Sequence, residues 1–510
     1  MSARLLLLAL DSADAELLER WMEEGALPVL AGLRREGLWC RLATTAEVMH
    51  VSAWPSLYTG THPGRHGLYH AFQWRAGEQR VHRTDPRWRA VEPFWATLDR
   101  AGRRVIVMDA FMDAPVPGFR GLQIIDYGSW TWFWGPASRP EGLFGEIRRR
   151  FGRYPAPEHL DQVTIPDPRW FRDRLVRAAR HKGEVVRWLL AEHPWEMAFV
   201  MFGETHGGGH YLWHAGDPDY PLRPKRRYGP GFHPLRDVYR AVDEAIGRLL
   251  EAAGEETDVL VVSGDGMGPN YSGSHLLPPL LEELGLLRTE TGGEGGGSRN
   301  LASRLRALVP LSVRQSLSRC LPRAVRQKLA MTWLNLGIDW SHTRVFCIPN
   351  SNEGYFRLNL EGREPLGAVA EAEAAGLVEE LARELRGLVN PDTGRRCAHG
   401  VHVVDQIFPG PQRPHLPDLV LAFDPAARTL DRIAGPRAGA IAGPKPFEVP
   451  AHYTGNHRPL AFLLARGPRV RGEAPVGAHI LDLAPTVLAL FGLAPDGLDG
   501  RPLPCFRYPG

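Results

Sequence analysis

Carboxylates and imidazoles recur along this chain at the edges of apolar runs. Asp11 follows RLLLLAL, and His50 precedes VSAWPSLYTG. Glu204, His206 and His210 lie in FGETHGGGH, Asp265 lies in SGDGMGPN, and His457 in TGNHRPL stands just before LAFLLA. These are metal-ligand side chains, expected in loops at strand ends. An active site in an open parallel α/β sheet needs such groups there, because its ligands bind beyond the carboxyl ends of the strands. A metal-dependent enzyme is the leading reading.

The elements that would carry these residues are legible as short apolar runs alternating with amphipathic stretches. Strands are predicted at 4–10, 104–108, 197–202, 259–263 and 460–465. In LRDVYRAVDEAIGRLL, the residues Leu235, Val238, Val242, Ile246, Leu249 and Leu250 recur at helical spacing, and residues 368–387 repeat the pattern. Strand and helix in alternation imply a mostly parallel sheet covered on both faces.

With 510 residues the chain can bury a large core in two or more domains. Its hydrophobic share of 44% and charged share of 23% are those of an ordinary globular protein. A formal charge of +3 favours neither a nucleic acid nor a membrane partner. The five cysteines are scattered and form no CxxC, which argues against a disulfide scaffold or a thiolate zinc site. The N-terminal apolar run is too short for a signal peptide or a membrane span, so the cytoplasm is the expected location.

TGGEGGGS (291–298) has a linker composition and opens a stretch rich in Arg, Leu and Ala. Residues 290–340 are expected to form a helical cap inserted between core segments 1–289 and 341–510. Arg304, Arg306, Arg314, Arg319, Arg323, Arg326 and Lys328 make it basic. It reads either as a surface that touches membrane or acidic substrate, or as a solvated helical face.

The order of several segments resembles the type I phosphodiesterase and nucleotide pyrophosphatase branch of the alkaline phosphatase superfamily. They are ALDSAD, GALPVLAGLRREG (25–37), SAWPSLYTGTHPGRHGLYH (52–70), FGETHGGGHYLWH (202–214), VVSGDGMG (261–268), LNLEGREPLG (358–367), LPDLVLAF (416–423), GNHRPLAFLLARGP (455–468) and HILDLAPTVLALFGLAPDGLDGRPL (479–503). The resemblance implies a three-layer α/β/α sandwich with a mostly parallel central sheet. It also implies two divalent metals, usually zinc, about 4 Å apart, which clamp the attacking and leaving oxygens of a phosphoryl transfer. A Ser or Thr beside one metal would then form a covalent phospho-enzyme.

Carried over by residue, Asp11 fits the first carboxylate ligand, and His210 and His457 fit two imidazole ligands. His50 falls where the family has its nucleophile, and His206 falls where an Asp ligand is expected. Gly264 and Asp265 replace the Asp and His of a Ser-Asp-His-Gly motif. Three of these four replacements are themselves metal ligands, which implies a re-tuned centre. One grouping puts Asp11, His50 and Asp265 on one metal and His206, His210 and His457 on the other, with Glu204 on or near the second. Zinc is expected, with manganese or iron as alternatives. Ser52, two residues past the aligned position, is a candidate nucleophile, and Thr44 and Thr45 are weaker ones. His50 is either a ligand or itself the nucleophile; if it is a ligand, metal-bound hydroxide would attack directly.

Asn270, His275 and His214 are candidate substrate groups. His62, His66 and His70 match a segment that the family uses structurally and are set aside. Gly207, Gly208 and Gly209 read as close backbone packing or a turn carrying His210; no Gly-Lys-Ser/Thr follows to make a phosphate loop. The run YGSWTWFWG (127–135) reads as a pocket lining or as packing at the sheet edge. The expected activity is hydrolysis of a phosphodiester or pyrophosphate bond in a small molecule. Phosphoryl or sulfuryl transfer, redox or lyase chemistry on the same scaffold, and metal-free binding are the alternatives.

Overall fold

The computed structural model describes residues 4–128, 132–157, 167–217, 220, 232–289, 325, 331–332, 337–443, 453–473 and 475–509. The predicted cap therefore lies almost wholly outside the described residues, as do its basic side chains. So do residues 129–131 of the aromatic run.

An eight-stranded sheet forms the centre. From edge to edge it runs Leu38–Leu42, Ala461–Arg466, Thr257–Ser263, Arg4–Leu10, Met197–Phe202, Val105–Met108, Leu122–Ile125 and Ala137–Arg139. The five strands from Thr257–Ser263 to Leu122–Ile125 are mutually parallel. The strand Ala461–Arg466 is antiparallel to both of its neighbours, and Ala137–Arg139 is antiparallel to Leu122–Ile125. After the exposed Arg4, RLLLLAL is apolar from Leu5 to Leu10 because both faces of its strand are covered. Leu6, Leu8 and Leu10 join a core with Trp21, Val185 and Leu249, whereas Leu5, Leu7 and Ala9 join a second core with Trp95 and Leu483. That gives helices on both faces, a three-layer α/β/α sandwich.

A further sheet stands apart from the central one. Its four antiparallel strands run in the order Val345–Ile348, Gly354–Leu358, Leu419–Phe423, Ala398–Val403 and have their own apolar core, to which the helix Glu371–Arg386 contributes Leu377, Leu381 and Leu385. Residues 345–423 thus do not extend the central sheet.

FGETHGGGH, expected as a loop, is the start of a helix, Glu204–Gly216. Each glycine in a helix interior costs about 1 kcal/mol relative to alanine, so local propensity argues against it. Tertiary packing overrides that preference. A Cβ on Gly209 would stand 2.6 Å from Met267 Cγ, and one on Gly455 would stand 2.2 Å from Gly209 O. Only bare backbone lets this helix approach the strand Gly455–Arg458.

No helix among the described residues is long and apolar enough to cross a membrane. Cys40, Cys347, Cys397 and Cys505 are free thiols.

Candidate metal centre

The carboxyl ends of the parallel strands bring the predicted residues together. Leu10 pairs in register with Phe202, so Asp11 emerges beside the start of the helix Glu204–Gly216. Asp265 follows the strand Thr257–Ser263. Next to it, the strand Gly266–Pro269 pairs antiparallel with Gly455–Arg458 and sets Met267 opposite His457. His50 begins a 3-10 turn, His50–Ser52, that leads into the helix Ala53–Thr59.

His206 and His210, one helical turn apart, meet His457 in a buried cluster in which one ring nitrogen of each lies within 4.8 Å of the others. Their ring centroids are 4.7, 4.9 and 5.1 Å apart. His50 stacks on His457 at 4.2 Å, and His70 stands edge-on to His50 at 5.9 Å. His70, set aside in the sequence, is thus part of the surroundings of this centre. His66 instead bonds Ser56 Oγ at 2.9 Å, and His62 lies 3.6 Å from Asp499, both in framework roles.

Each imidazole around the centre has its Nδ1 against a fixed acceptor. His206 Nδ1 lies 2.8 Å from Asp11 Oδ2, and His210 Nδ1 lies 2.9 Å from the Gly455 carbonyl. His457 Nδ1 lies 2.6 Å from Asp265 Oδ2, and His50 Nδ1 lies 2.8 Å from Glu353 Oε2. Metal-binding histidines characteristically donate their second ring N–H to a carboxylate or carbonyl, which fixes tautomer and orientation. A carbonyl can only accept, so His210 carries its proton on Nδ1. Trp54 Nε1–H donates to Asp11 Oδ1 at 2.6 Å. His206 Nε2 and His210 Nε2 lie 2.9 Å apart.

Burial dominates the electrostatics. It pushes His210 and His457 well below the ordinary imidazole range, with neighbouring histidines adding to the effect. It also pushes Asp265 well above the usual carboxylate range, helped by the Asp11 charge. Asp265 and His457 meet at 2.6 Å, Oδ2 to Nδ1. Burial would raise Glu353 too, but His50 and the amides of Asn350 and Asn352 hold it below its ordinary value.

Other predicted residues sit elsewhere. Glu204 is fully buried but faces away from this chemistry, accepting from Tyr154 OH at 2.7 Å and lying 3.5 Å from Lys182 Nζ. Ser52 Oγ donates to Met49 O at 2.6 Å and to Thr45 Oγ1 at 2.8 Å, while Thr44 Oγ1 donates to Gly264 O. Asn270 ties Tyr453 O and Asn456 together behind the strand that carries His457. His214 Nδ1 meets Thr454 Oγ1 at 3.0 Å, and His275 borders Gly443. In the aromatic run, Tyr127 is buried with its OH 2.6 Å from His181 Nε2, and Phe133 packs on Phe111. These described members pack at the sheet edge.

Glu353 and Ser12 are the residues that the sequence did not single out. Glu353 stands just before the Gly354–Leu358 strand of the smaller sheet, and only tertiary structure brings it to His50. Its sole sequence signal is an acidic residue in the polar turn NSNEG. Ser12 has φ 51°, a left-handed backbone, and its Oγ lies 3.3 Å from both Asp265 Oδ2 and His457 Nδ1. It directly follows Asp11, and positive φ leaves no mark in sequence at a serine.

The donor set fits one ion well. Three imidazoles converge with their Nδ1 atoms against fixed acceptors. Asp11, His50 and Asp265 do not form a second such three-donor group among the described residues.

Imidazoles converge beyond the carboxyl edge of a mostly parallel sheet in an α/β/α sandwich, a group that could hold a metal ion. A family model described as Type I phosphodiesterase / nucleotide pyrophosphatase matches residues 5–447, and the chain belongs to that family of phosphoric ester hydrolases. Among solved structures, phosphonoacetate hydrolase from Sinorhizobium meliloti 1021 in complex with phosphonoformate is similar, with 12% identity, 95% of this chain and 94% of that chain covered, and a TM-score of 0.53. The same hydrolase in complex with phosphonoacetate gives a TM-score of 0.52 at 12% identity over the same shares of both chains. Human ectonucleotide pyrophosphatase / phosphodiesterase 5 gives 0.47 at 14% identity, with 98% and 97% covered. At such identities the likeness concerns the fold, which is alkaline-phosphatase-like. No curated protein sequence matches the chain significantly.

Proposed function

We propose that this chain hydrolyses a phosphodiester or pyrophosphate bond in a small molecule, with water rather than a serine or threonine as the attacking group. The observation that carries this reading is the set of anchored imidazoles. His206, His210 and His457 would hold a divalent ion of the zinc class. When bound, such an ion draws charge from a phosphoryl oxygen and acidifies water.

His50 supplies the base. Its Nδ1–H donates to Glu353, which fixes the ring and leaves Nε2 to accept a proton, as an orienting carboxylate does for other catalytic imidazoles. The stack on His457 holds His50 beside the metal ligands. Ser52, with its hydroxyl committed to Met49 and Thr45, is a poor nucleophile by comparison.

The test is turnover of bis(p-nitrophenyl) phosphate by wild type and His50→Gln, with single-turnover quenching to trap any phospho-protein. The expected outcome is a loss of about 10²–10⁴-fold in kcat for the variant and no trapped intermediate. A phosphoserine or phosphothreonine, or an unchanged rate in His50→Gln, would overturn the proposal.

A further inference from the structure

We infer that Asn456 is a positioning residue: it ties the turn carrying Glu353, the partner of His50, to the strand carrying His457, and so fixes the base against the metal ligands. This rests on the reading of His50 as the base, and it is independent of which ester is cleaved.

The two halves of the site come from different parts of the fold. Glu353 lies in the polar turn NSNEG, just before the strand Gly354–Leu358, whose Tyr355 and Phe356 belong to the core of the smaller sheet. His457 lies on the strand Gly455–Arg458, which pairs with Gly266–Pro269. The turn holds His50 twice: Glu353 Oε1 accepts from the His50 backbone N–H at 3.2 Å, and Oε2 lies 2.8 Å from the ring Nδ1. Asn350 and Asn352 donate to the same carboxylate at 2.8 and 3.0 Å and stiffen it. A shift of this turn therefore carries the base with it. Displacing a reacting group by about 1 Å can cost about 100-fold in rate.

Asn456 spans the gap between the two. Successive residues of a strand face opposite ways, so its side chain turns away from that of His457 and towards the turn. Its Nδ2 donates to the Ser351 carbonyl at 2.8 Å and to Asn270 Oδ1 at 3.2 Å, and its Oδ1 accepts from the His457 backbone N–H at 3.0 Å. A carbonyl only accepts and a backbone N–H only donates, so the amide has one orientation. The residue is buried, which keeps water from competing for these bonds. Asn270 backs it, accepting from the Ser272 backbone N–H at 3.3 Å and donating to Tyr453 O at 2.9 Å. Ser272 Oγ adds a second tie to the turn, donating to Asn352 O at 2.7 Å. Through these bonds the stack of His50 on His457, 4.2 Å between ring centroids, is held from both sides.

The test is steady-state hydrolysis of bis(p-nitrophenyl) phosphate by the full, Zn²⁺-loaded chain, with bound Zn²⁺ and thermal midpoint measured on the same preparations. Asn456→Ala is expected to lose about 10–100-fold in kcat, with KM and bound Zn²⁺ as in wild type. In a His50→Gln background the same substitution should cost nothing further in kcat, because no base is left to misplace. Ser272→Ala cuts the second tie and leaves Asn456 in place. It should show the same pattern at smaller size, and wild-type kcat in Ser272→Ala overturns the inference if Asn456→Ala does not fold. A merely structural asparagine would lower kcat equally in both backgrounds. That result would overturn the inference, as would wild-type kcat or loss of Zn²⁺ in Asn456→Ala, and each leaves His50 as the base. An unchanged rate in His50→Gln would remove the base reading, and the inference with it.

Discussion

His206 and His210 stand Nε2 to Nε2 at 2.9 Å, each with its Nδ1 already held by an acceptor. With His457 they offer three nitrogens to one cation, so a bound metal should stabilise the fold. At a Zn²⁺ concentration a thousandfold above Kd, linkage gives about 4 kcal/mol. Thermal scans of stripped protein should show a higher midpoint on adding Zn²⁺ and no such rise in His210→Ala. An equal rise in both would mean the ion binds elsewhere.

Ser52 distinguishes a bystander hydroxyl from a nucleophile. Ser52→Ala removes a buried hydrogen bond to Met49 O and should cost about 1–2 kcal/mol of stability. Its kcat should stay within about tenfold of wild type, well short of the roughly 10⁶-fold loss that follows removal of a true serine nucleophile. Steady-state kinetics beside urea titration separates the two effects.

Lys182 is fully buried between Asp109, at 2.8 Å, and Glu204, at 3.5 Å. Burial alone would lower its ammonium pKa, yet the two carboxylates hold it above the ordinary value. Lys182→Met leaves both acids uncompensated and should destabilise by about 3–5 kcal/mol. Glu204→Gln should cost less and leave metal stoichiometry unchanged. Loss of metal in Glu204→Gln would return that residue to the ligand set.

Acid should loosen the fold through its buried neutral histidines. Burial, and then the neighbouring His50, lower His70 to about 4 from an ordinary 6.5, and His66 moves well down for the same first reason. A depressed pKa means the native state binds fewer protons than the unfolded chain. Stability is therefore complete above pH 6.5 and lost as pH falls towards 4. Urea midpoints should drop between pH 7.5 and pH 5, and His70→Gln should flatten that slope. A pH-independent midpoint would contradict the assignment.

Ser12 carries a left-handed backbone at φ 51°, where a β-branched side chain is badly strained. Ser12→Gly should remain folded, because the lost hydrogen bonds to Asp265 and His457 are offset by relief of backbone strain. Ser12→Val should lose about 2 kcal/mol or more. Comparable thermal midpoints for the two variants would show that the backbone strain is negligible.

The fold was legible to the extent that burial is written in apolar runs. RLLLLAL, MAFVMF and VLVVS are apolar on both faces and became adjacent parallel strands, and the periodic stripe beginning at Leu235 became a helix on that sheet. Asp11 and Asp265 were legible because each follows a strand of the parallel sheet, whereas His206 and His210 lie within the helix Glu204–Gly216 and His457 within the strand Gly455–Arg458. The helical state of FGETHGGGH was not legible, since three glycines argue against a helix until Met267 and Gly455 press against it.

The sequence by itself determined the sandwich, the edge at which chemistry gathers and the residue types gathered there, because those follow from short-range pattern and the order of segments. Tertiary structure alone decided which partners those residues meet. Folding places Trp54, His206, Ser12 and His457 against the oxygens of Asp11 and Asp265. Glu353 reaches His50 across 303 positions of chain, from a separate sheet. A hydrogen bond commits a lone pair to one partner in space, and the sequence does not record that geometry.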